Sequence, residues 1–285
     1  MGIKVSNVFY TYQKKTSHAT QALSDVSLNI ENNEFVALVG ETGSGKSTLV
    51  QCFNGLLIPD KGEIEIDEYI VSFKNRKSRK LKNLRKHVGL IFQFPEYQLF
   101  EETVEKDVAF GVKNFGIKGK EALEKAHLAL SQVGLDESFY QRPPFELSGG
   151  EKRKVAIAGI LAINPEILIF DEPTVGFDPE SSKELMSLIV NLHKQGKTII
   201  VVTHDMNLVN TYAEKVFMLD NGKMVFSGTP SELFSHIQNY DRLDIPSIIK
   251  VAKKLKEKGM DLPLENIRTI EDLLPYIEKW REKDV

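Results

Sequence analysis

The sequence predicts an α/β fold with a mixed, mainly parallel sheet at its core, an antiparallel β edge and a helical insertion. Short, continuously apolar runs, Phe35 to Val39, Ile167 to Phe170 and Thr198 to Val202, have the length and β-branched content of strands covered on both faces. Helical periodicity fills the segments between them, and strands that alternate with helices build a parallel sheet. From about Arg85 to Ala162 the strand signal fades after "VGLIFQ" and amphipathic helices take over, which marks a helical subdomain, about 85–162, inserted in the sheet domain.

From the N-terminus, the alternating "IKVSNVFYTY" and the turn-bounded "ALSDVSLNIENNEFVALVG" give edge strands that lead into the buried strand Phe35 to Val39. The basic run Lys74 to His87, "KNRKSRKLKNLRKH", is expected as a solvated hairpin and loop, with attraction to anionic lipid a secondary reading. Lys120 to Val133 is a helix with Ala122, Leu123, Ala126, Ala129, Leu130 and Val133 on one face. "VFMLDNGKMVFSGTP" is a hairpin turned by Asn221-Gly222. After Pro230 come helices broken at Pro246 and Pro263, so the chain divides into residues 1–230 and a helical C-terminal extension, 231–285. Ile248, Ile249, Ala252 and Leu255 share one helical face there, and Leu273, Leu274, Ile277 and Trp280 another. That is more apolar surface than two short helices can bury alone, so part of it is expected to meet a partner.

A net charge of −3 gives no overall basic field for nucleic acid. The single cysteine, Cys52, cannot form an intramolecular disulfide and is expected as a buried filler. The N-terminus lacks a signal-peptide apolar region, and runs such as "TIIVV" fall far short of the roughly 20 residues that span a bilayer. The expected compartment is the cytosol, and work at a membrane requires a partner's helices.

Three motifs carry chemistry. "GETGSGKST" matches the P-loop pattern at Gly40, Gly45, Lys46 and Ser47, after a buried strand and before a helix, which makes the core a P-loop NTPase. Its glycines let the backbone of Gly40, Thr42, Gly43, Ser44 and Gly45 wrap a phosphate chain. The helix start at Ser47 and Thr48 points N–H groups at it, Lys46 reaches the β and γ phosphates of ATP, and the Ser47 hydroxyl ligates Mg²⁺. "ILIFDEPT" sets Asp171 at the C-terminal end of a strand to hold Mg²⁺ through water, with Glu172 one residue on to orient and deprotonate the attacking water. "FELSGGEKRKVAIAGILA" places Ser148, Gly149, Gly150 and Glu151 at a helix start, where exposed backbone N–H groups suit an anion. One chain already has a complete phosphate cradle, so this is a surplus anion site.

"LSGGE" before a helix, together with the P-loop and "FDEPT", resembles the signature of the ATP-binding cassette (ABC) ATPases over residues 1 to about 230. The resemblance implies further site residues: Gln93 in "LIFQFPEYQLF" as a catalytic and Mg²⁺-contacting glutamine, Asp178 in "GFDP" as the residue tying two sites together, His204 in "VVTHD" as the switch histidine contacting the γ-phosphate, and Tyr12 as the aromatic that stacks on adenine. It also implies that Ser148 to Gly150 cap the γ-phosphate of ATP held by a partner subunit, so the active unit is a dimer with two sandwiched ATP molecules. Glu151 stands where many members have glutamine and Phe177 where most have leucine.

"FQFPEYQLFEETVEKDVAFG", "KVAIAGILA" and the helical extension resemble the ATPases of energy-coupling factor (ECF) transporters, and "FPEYQLF" with "FDEPTVGFDP" resembles the second of their two types. Such transporters import vitamins and transition-metal ions such as cobalt and nickel. The implied partners are a sister ABC ATPase, as heterodimer or homodimer, a transmembrane coupling subunit and a substrate-binding membrane subunit, with no nucleic acid. The implied location is peripheral, on the cytoplasmic face of the cell membrane. The family seats a coupling helix near Phe94 to Val104, where Glu96, Glu101 and Glu102 lie among Phe94, Tyr97, Leu99 and Phe100. Glu101 and Glu102 read equally well as a solvated helix N-terminus. An alternative is a soluble ABC ATPase acting on nucleic acid or the ribosome, although the chain has one cassette and no heptads. A non-hydrolysing regulatory module is disfavoured by the presence of both Glu172 and His204.

Overall fold

The computed structural model describes residues 2–75, 78–235 and 243–283. The apolar runs become a six-stranded sheet from β3 (Phe35–Val39), β6 (Val88–Ile91), β7 (Ile167–Asp171), β8 (Thr198–Val202), β9 (Lys215–Asp220) and β10 (Lys223–Gly228). Its order is β10-β9-β3-β8-β7-β6, parallel except for the terminal β9–β10 hairpin. That hairpin turns on Asn221 and Gly222, with φ of 46° and 74°, the left-handed pair a two-residue turn needs. The N-terminal strands β1 (Ile3–Tyr12) and β2 (Thr20–Ile30) pair with β4 (Lys61–Ile66) and β5 (Tyr69–Ser72) in a separate antiparallel sheet, order β2-β1-β4-β5.

Period-two alternation divides the core. Ile167, Ile169, Ile200 and Val202 face the antiparallel sheet and α1 (Lys46–Phe53), while Leu168, Phe170, Ile199 and Val201 face the helices on the other side. Those helices are α3 (Val104–Asn114), α4 (Gly119–Gln132), α5 (Glu137–Tyr140), α6 (Gly149–Leu161) and α7 (Pro179–Lys194). In α4 the face expected from the sequence is the buried one, with Ala122, Ala126, Ala129 and Leu130 all in the core. Cys52 is buried in the other core, and burial pushes its thiol up to about 12.

The basic run does not form the hairpin and loop expected of it: residues Ser78–His87 are a helix, α2. Leu81 and Leu84, three apart, fall on one face; Leu84 is buried in the core, and Leu81 packs beside Gly55. Lys80, Lys82 and Lys86 take the solvent side, so two leucines decide the structure of a segment whose composition reads as loop. Arg76 and Lys77 lie outside the described residues.

Between β8 and β9, α8 (Met206–Tyr212) packs with α9 (Pro230–Ser235), which follows β10, against β3 and β9, and the extension continues as α10 (Ser247–Glu257) and α11 (Ile270–Lys283). Ala252, Met260, Leu262, Ile267 and Leu273 form a small core of their own, with Ile248, Leu255, Ile277 and Trp280 packed against it. The two apolar stripes therefore bury much of each other, and Val251, Ile270 and Leu274 stay exposed. Asn210 ties this unit to the sheet domain: it is buried, and its Nδ2 donates to the carbonyls of Ile267 at 3.4 Å and Arg268 at 3.0 Å. Asn210→Ala leaves both carbonyls short of a donor and is expected to cost about 1–3 kcal/mol at this junction. Faster limited proteolysis of the extension, with unchanged ATP binding, is the check.

Candidate functional site

The strand order brings three loops side by side. β8 lies between β3 and β7, so the P-loop after Val39, the Asp171-Glu172 pair and the Thr203-His204 pair emerge from adjacent strand ends, where open α/β sheets bind ligands. Gly40 and Gly45 must be glycine: their φ values are 139° and 103°, and a Cβ would stand 2.1 Å from the Leu219 carbonyl and 2.5 Å from that of Ala22. Thr42 and Gly43 are exposed at the loop tip, and Ser47 and Thr48 open α1 with no acidic residue in its first turn.

Lys46 is buried, and its Nζ donates to the carbonyls of Gly40 at 2.7 Å and Glu41 at 2.8 Å. Burial pulls this ammonium below the usual lysine range, while the charges of Glu172, Asp171 and Glu41 oppose the shift. Asp171 is buried too; desolvation pushes its carboxyl up, and a hydrogen bond from the Ser47 hydroxyl pulls the other way. Glu172 accepts from His204, with 2.8 Å between Nδ1 and Oε1. An ionised carboxylate only accepts, so Nδ1 carries the proton and Nε2 is left for another partner on a side chain 71% exposed. Glu172 stands at φ 50°, a left-handed conformation unusual for a non-glycine residue. Buried lysine, buried aspartate, serine hydroxyl and a carboxylate–imidazole pair thus converge on one rim.

A family model described as ABC transporter matches residues 23–175. The chain is 50% identical to the energy-coupling factor transporter ATP-binding protein EcfA2 of Streptococcus agalactiae, over 92% of this chain and 94% of that protein. The chain belongs to the ABC transporter family. Within it, the identity puts the chain among the ATP-binding proteins of energy-coupling factor transporters, and it is the ATP-hydrolysing subunit of such a transporter. Among solved structures, cbiO1 from Clostridium perfringens, part of the ABC transporter complex cbiONQ, superposes with a TM-score of 0.73 at 37% identity, covering 90% of this chain and 96% of that one. The ATP-binding cassette MJ0796, in a dimeric post-hydrolysis state bound to ADP and Pi, gives 0.72 at 32%, covering 80% and 98%.

In this ABC cassette the signature turn stands apart from the rim. Ser148, Gly150 and Glu151 line a groove with Phe177 and Glu184, whereas Glu172 and His204 line another with Thr203 and Asp205. Neither Gly149 nor Gly150 has positive φ, and a Cβ on Gly149 would meet nothing within 4 Å. The chain's own packing therefore gives no reason for these glycines. Ser148 caps α6 in a reciprocal box: Glu151 N donates to its Oγ at 3.3 Å, and Glu151 Oε2 accepts from Ser148 N and Oγ, both at 2.8 Å. Those bonds hold the Glu151 carboxyl below its usual range.

Other predicted residues sit as follows. Tyr12, 38% exposed, has its hydroxyl 3.1 Å from Thr48 Oγ1 and its ring edge-on to Tyr10. Gln93 follows β6 and is exposed. Asp178 caps α7, accepting from the backbone of Glu180 and Ser181 at 3.0 Å and from the Ser181 hydroxyl at 2.6 Å. Sequence reasoning missed Arg153, which is buried against the loop after Asp171. It shares a helical stripe with Ile157 and Leu161 at i+4 and i+8, and a cation on an apolar stripe was the available signal.

Proposed function

We propose that the chain binds ATP at the P-loop and hydrolyses it in a dimer of two ATPases, with the energy driving uptake of a vitamin or a transition-metal ion through partner membrane subunits. The observation that carries this reading is the 2.8 Å Glu172–His204 pair beside Lys46, Ser47 and Asp171. Glu172 takes the proton of the attacking water, and His204 holds that carboxylate by Nδ1 and offers Nε2 to the γ-phosphate. Lys46 neutralises the phosphate chain, and the N–H groups of residues 40–48 cradle it, with Tyr12 against the adenine.

The buried Ser44 Oγ, which has no hydrogen-bond partner, and the hard oxygens of Ser47 and Asp171 fit a nucleotide bound with Mg²⁺. Ser47, Gln93 and, through water, Asp171 would hold the ion. When bound, it supplies positive charge against the phosphate oxygens. Ser148, Gly149, Gly150 and Glu151 of one subunit cap the ATP of the other, and the open space beside Gly149 suits that approach. The Ser148 hydroxyl first exchanges its bond to Glu151. Asp178 lies at the same interface.

Residues 1–230 form the ATPase domain, with the subdomain 85–162 inserted, and the extension 231–285 helps hold the two ATPases together. Among the described residues no helix is long and apolar enough to cross a membrane. In this reading the partners carry the spans and the chain is peripheral, on the cytoplasmic face. Detergent extraction and purification by a tag on this chain, followed by uptake assays in vesicles with a panel of vitamins, cobalt and nickel, tests the proposal. ATP-dependent uptake of one of them is expected; a tagged chain with no membrane subunits and no uptake overturns it.

Docking falls to the loop after Gln93. Phe94, Tyr97 and Phe100 are exposed, Tyr97 at 85%, and Glu96 has a buried Oε2 without a partner. Asp107 accepts from the N–H groups of Phe100 and Glu101, both at 2.8 Å, so the loop is braced without Glu101 and Glu102. Aromatic rings seat an inserted helix, and the three glutamates pair with its cations. Glu96→Gln, Glu101→Gln and Glu102→Gln together are expected to lower complex recovery or uptake per ATP by about tenfold, with ATP binding unchanged. Both at wild-type level would remove the docking assignment.

A further inference from the structure

Arg153 has almost no contact with water, at 5% exposure, although it carries a permanent charge. Its bonds go to main-chain carbonyls on the loop that follows β7: Nη1 donates to Val175 O at 2.6 Å and Nη2 to Glu172 O at 3.3 Å. The guanidinium also lies 4.5 Å from the centroid of the Phe177 ring. Burying a cation costs several kcal/mol, and a hydrophobic side chain would fill the same space more cheaply. What the fork offers that a hydrophobe cannot is fixed geometry at two carbonyls.

That geometry has an evident use at Glu172. A left-handed non-glycine backbone costs of order 1–3 kcal/mol and persists only where the surroundings over-determine it. Three bonds to the Glu172 backbone do so here: Glu172 N to Val202 O at 2.8 Å, Val175 N to Glu172 O at 3.3 Å, and Arg153 Nη2 to Glu172 O at 3.3 Å. The docking loop meets the same segment. The Phe94 ring lies 3.7 Å from where a Gly176 Cβ would stand, and the charge of Glu96 acts on Arg153.

We infer that Arg153 is a positioning residue: from the signature helix it fixes the backbone that aims Glu172, and it joins that backbone to the docking loop. The inference rests on the proposed role of Glu172 in activating water. Arg153 touches no reacting atom; it acts through the Glu172 and Val175 carbonyls. Ordinary core packing would hold the loop equally well for every step, whereas a positioning role acts on the chemical step alone.

The test uses the complete transporter complex, with the sister ATPase's own catalytic carboxylate replaced by glutamine so that turnover reports this chain's site. Arg153→Met, which keeps length and removes fork and charge, is expected to lower kcat for ATP by about 10- to 100-fold while KM stays within about threefold. Arg153→Lys, which keeps the charge, should fall between Met and wild type. Placed on Glu172→Gln, the same changes should alter the residual turnover less than about twofold, because their target is already gone. Unchanged kcat in Arg153→Met, an equal fold-loss in both backgrounds, or a loss carried by KM would each overturn the inference. If the Met complex cannot be recovered, the Lys variant decides by the same outcomes. Near-normal turnover in Glu172→Gln alone would instead remove the reading of Glu172 itself, and the single variant reports it separately.

Discussion

Glu172→Gln is expected to bind ATP with near wild-type affinity and to hydrolyse it about 10²- to 10⁴-fold more slowly, the range a positioned general base supplies. The amide keeps the shape of the side chain and can still accept from His204 Nδ1, so the 2.8 Å contact and the imidazole's orientation survive. What it loses is basicity toward the attacking water, a role played only in the transition state. The loss therefore falls on kcat, with little in binding. Because ATP still enters but is not consumed, the two-ATPase dimer should accumulate closed. Nucleotide titration, steady-state hydrolysis and sedimentation in ATP check the three parts. Turnover within about threefold of wild type would end the general-base assignment.

His204 shows how much of this rim was legible in the sequence. Strand runs and loop motifs placed Lys46, Asp171, Glu172 and His204 at strand ends, and a parallel sheet leaves few ways to arrange those ends. The order β3-β8-β7, which sets His204 between the other two motifs, is a tertiary fact that no local pattern encodes. Asp178 illustrates a residue with two readings. Resemblance alone assigns it to an interface, while the local signal it carries, Pro179 directly behind it, is that of a helix cap, and three donors converge on its carboxylate there.

The errors have physical causes of the same kind. Lys74 to His87 read as hairpin and loop because charge dominates its composition, but two leucines at helical spacing gain burial against the core while the lysines of the helix stay in water at no desolvation cost. The extension is a different case: sequence shows each helix alone and so shows an excess of apolar surface, whereas Ile267 and Leu262, between the helices, complete a core that both share and leave Val251, Ile270 and Leu274 exposed. Arg153 was hidden in a basic cluster whose members looked alike; burial, visible only after folding, separates it from Lys154, which reaches Glu184 at 3.1 Å on the surface.

Lys46→Ala is expected to weaken ATP binding by at least about 100-fold, a loss in keeping with the roughly 3–5 kcal/mol attached to breaking a buried charge pair. Three consequences of the substitution point the same way. The carbonyls of Gly40 and Glu41 lose the donor that now sits 2.7 and 2.8 Å from them, so the loop that wraps the phosphates is no longer tied from inside. Asp171 loses the neighbouring cation that offsets its desolvation, which pushes the buried carboxyl further up. The phosphate chain itself loses a charge that faces it in the ground state as well as in the transition state, so the effect appears in binding rather than in kcat alone. ADP, lacking the γ-phosphate, should lose less than ATP. The wild type should also show a pH signature: burial lowers the Lys46 ammonium and a polyanion favours its charged form, so ATP affinity falls as pH rises through that lowered range. In Lys46→Ala this fall should vanish. Calorimetric titration of ATP and ADP across alkaline pH measures all of it, and an ATP affinity within about threefold of wild type would overturn the assignment of Lys46 to the phosphates.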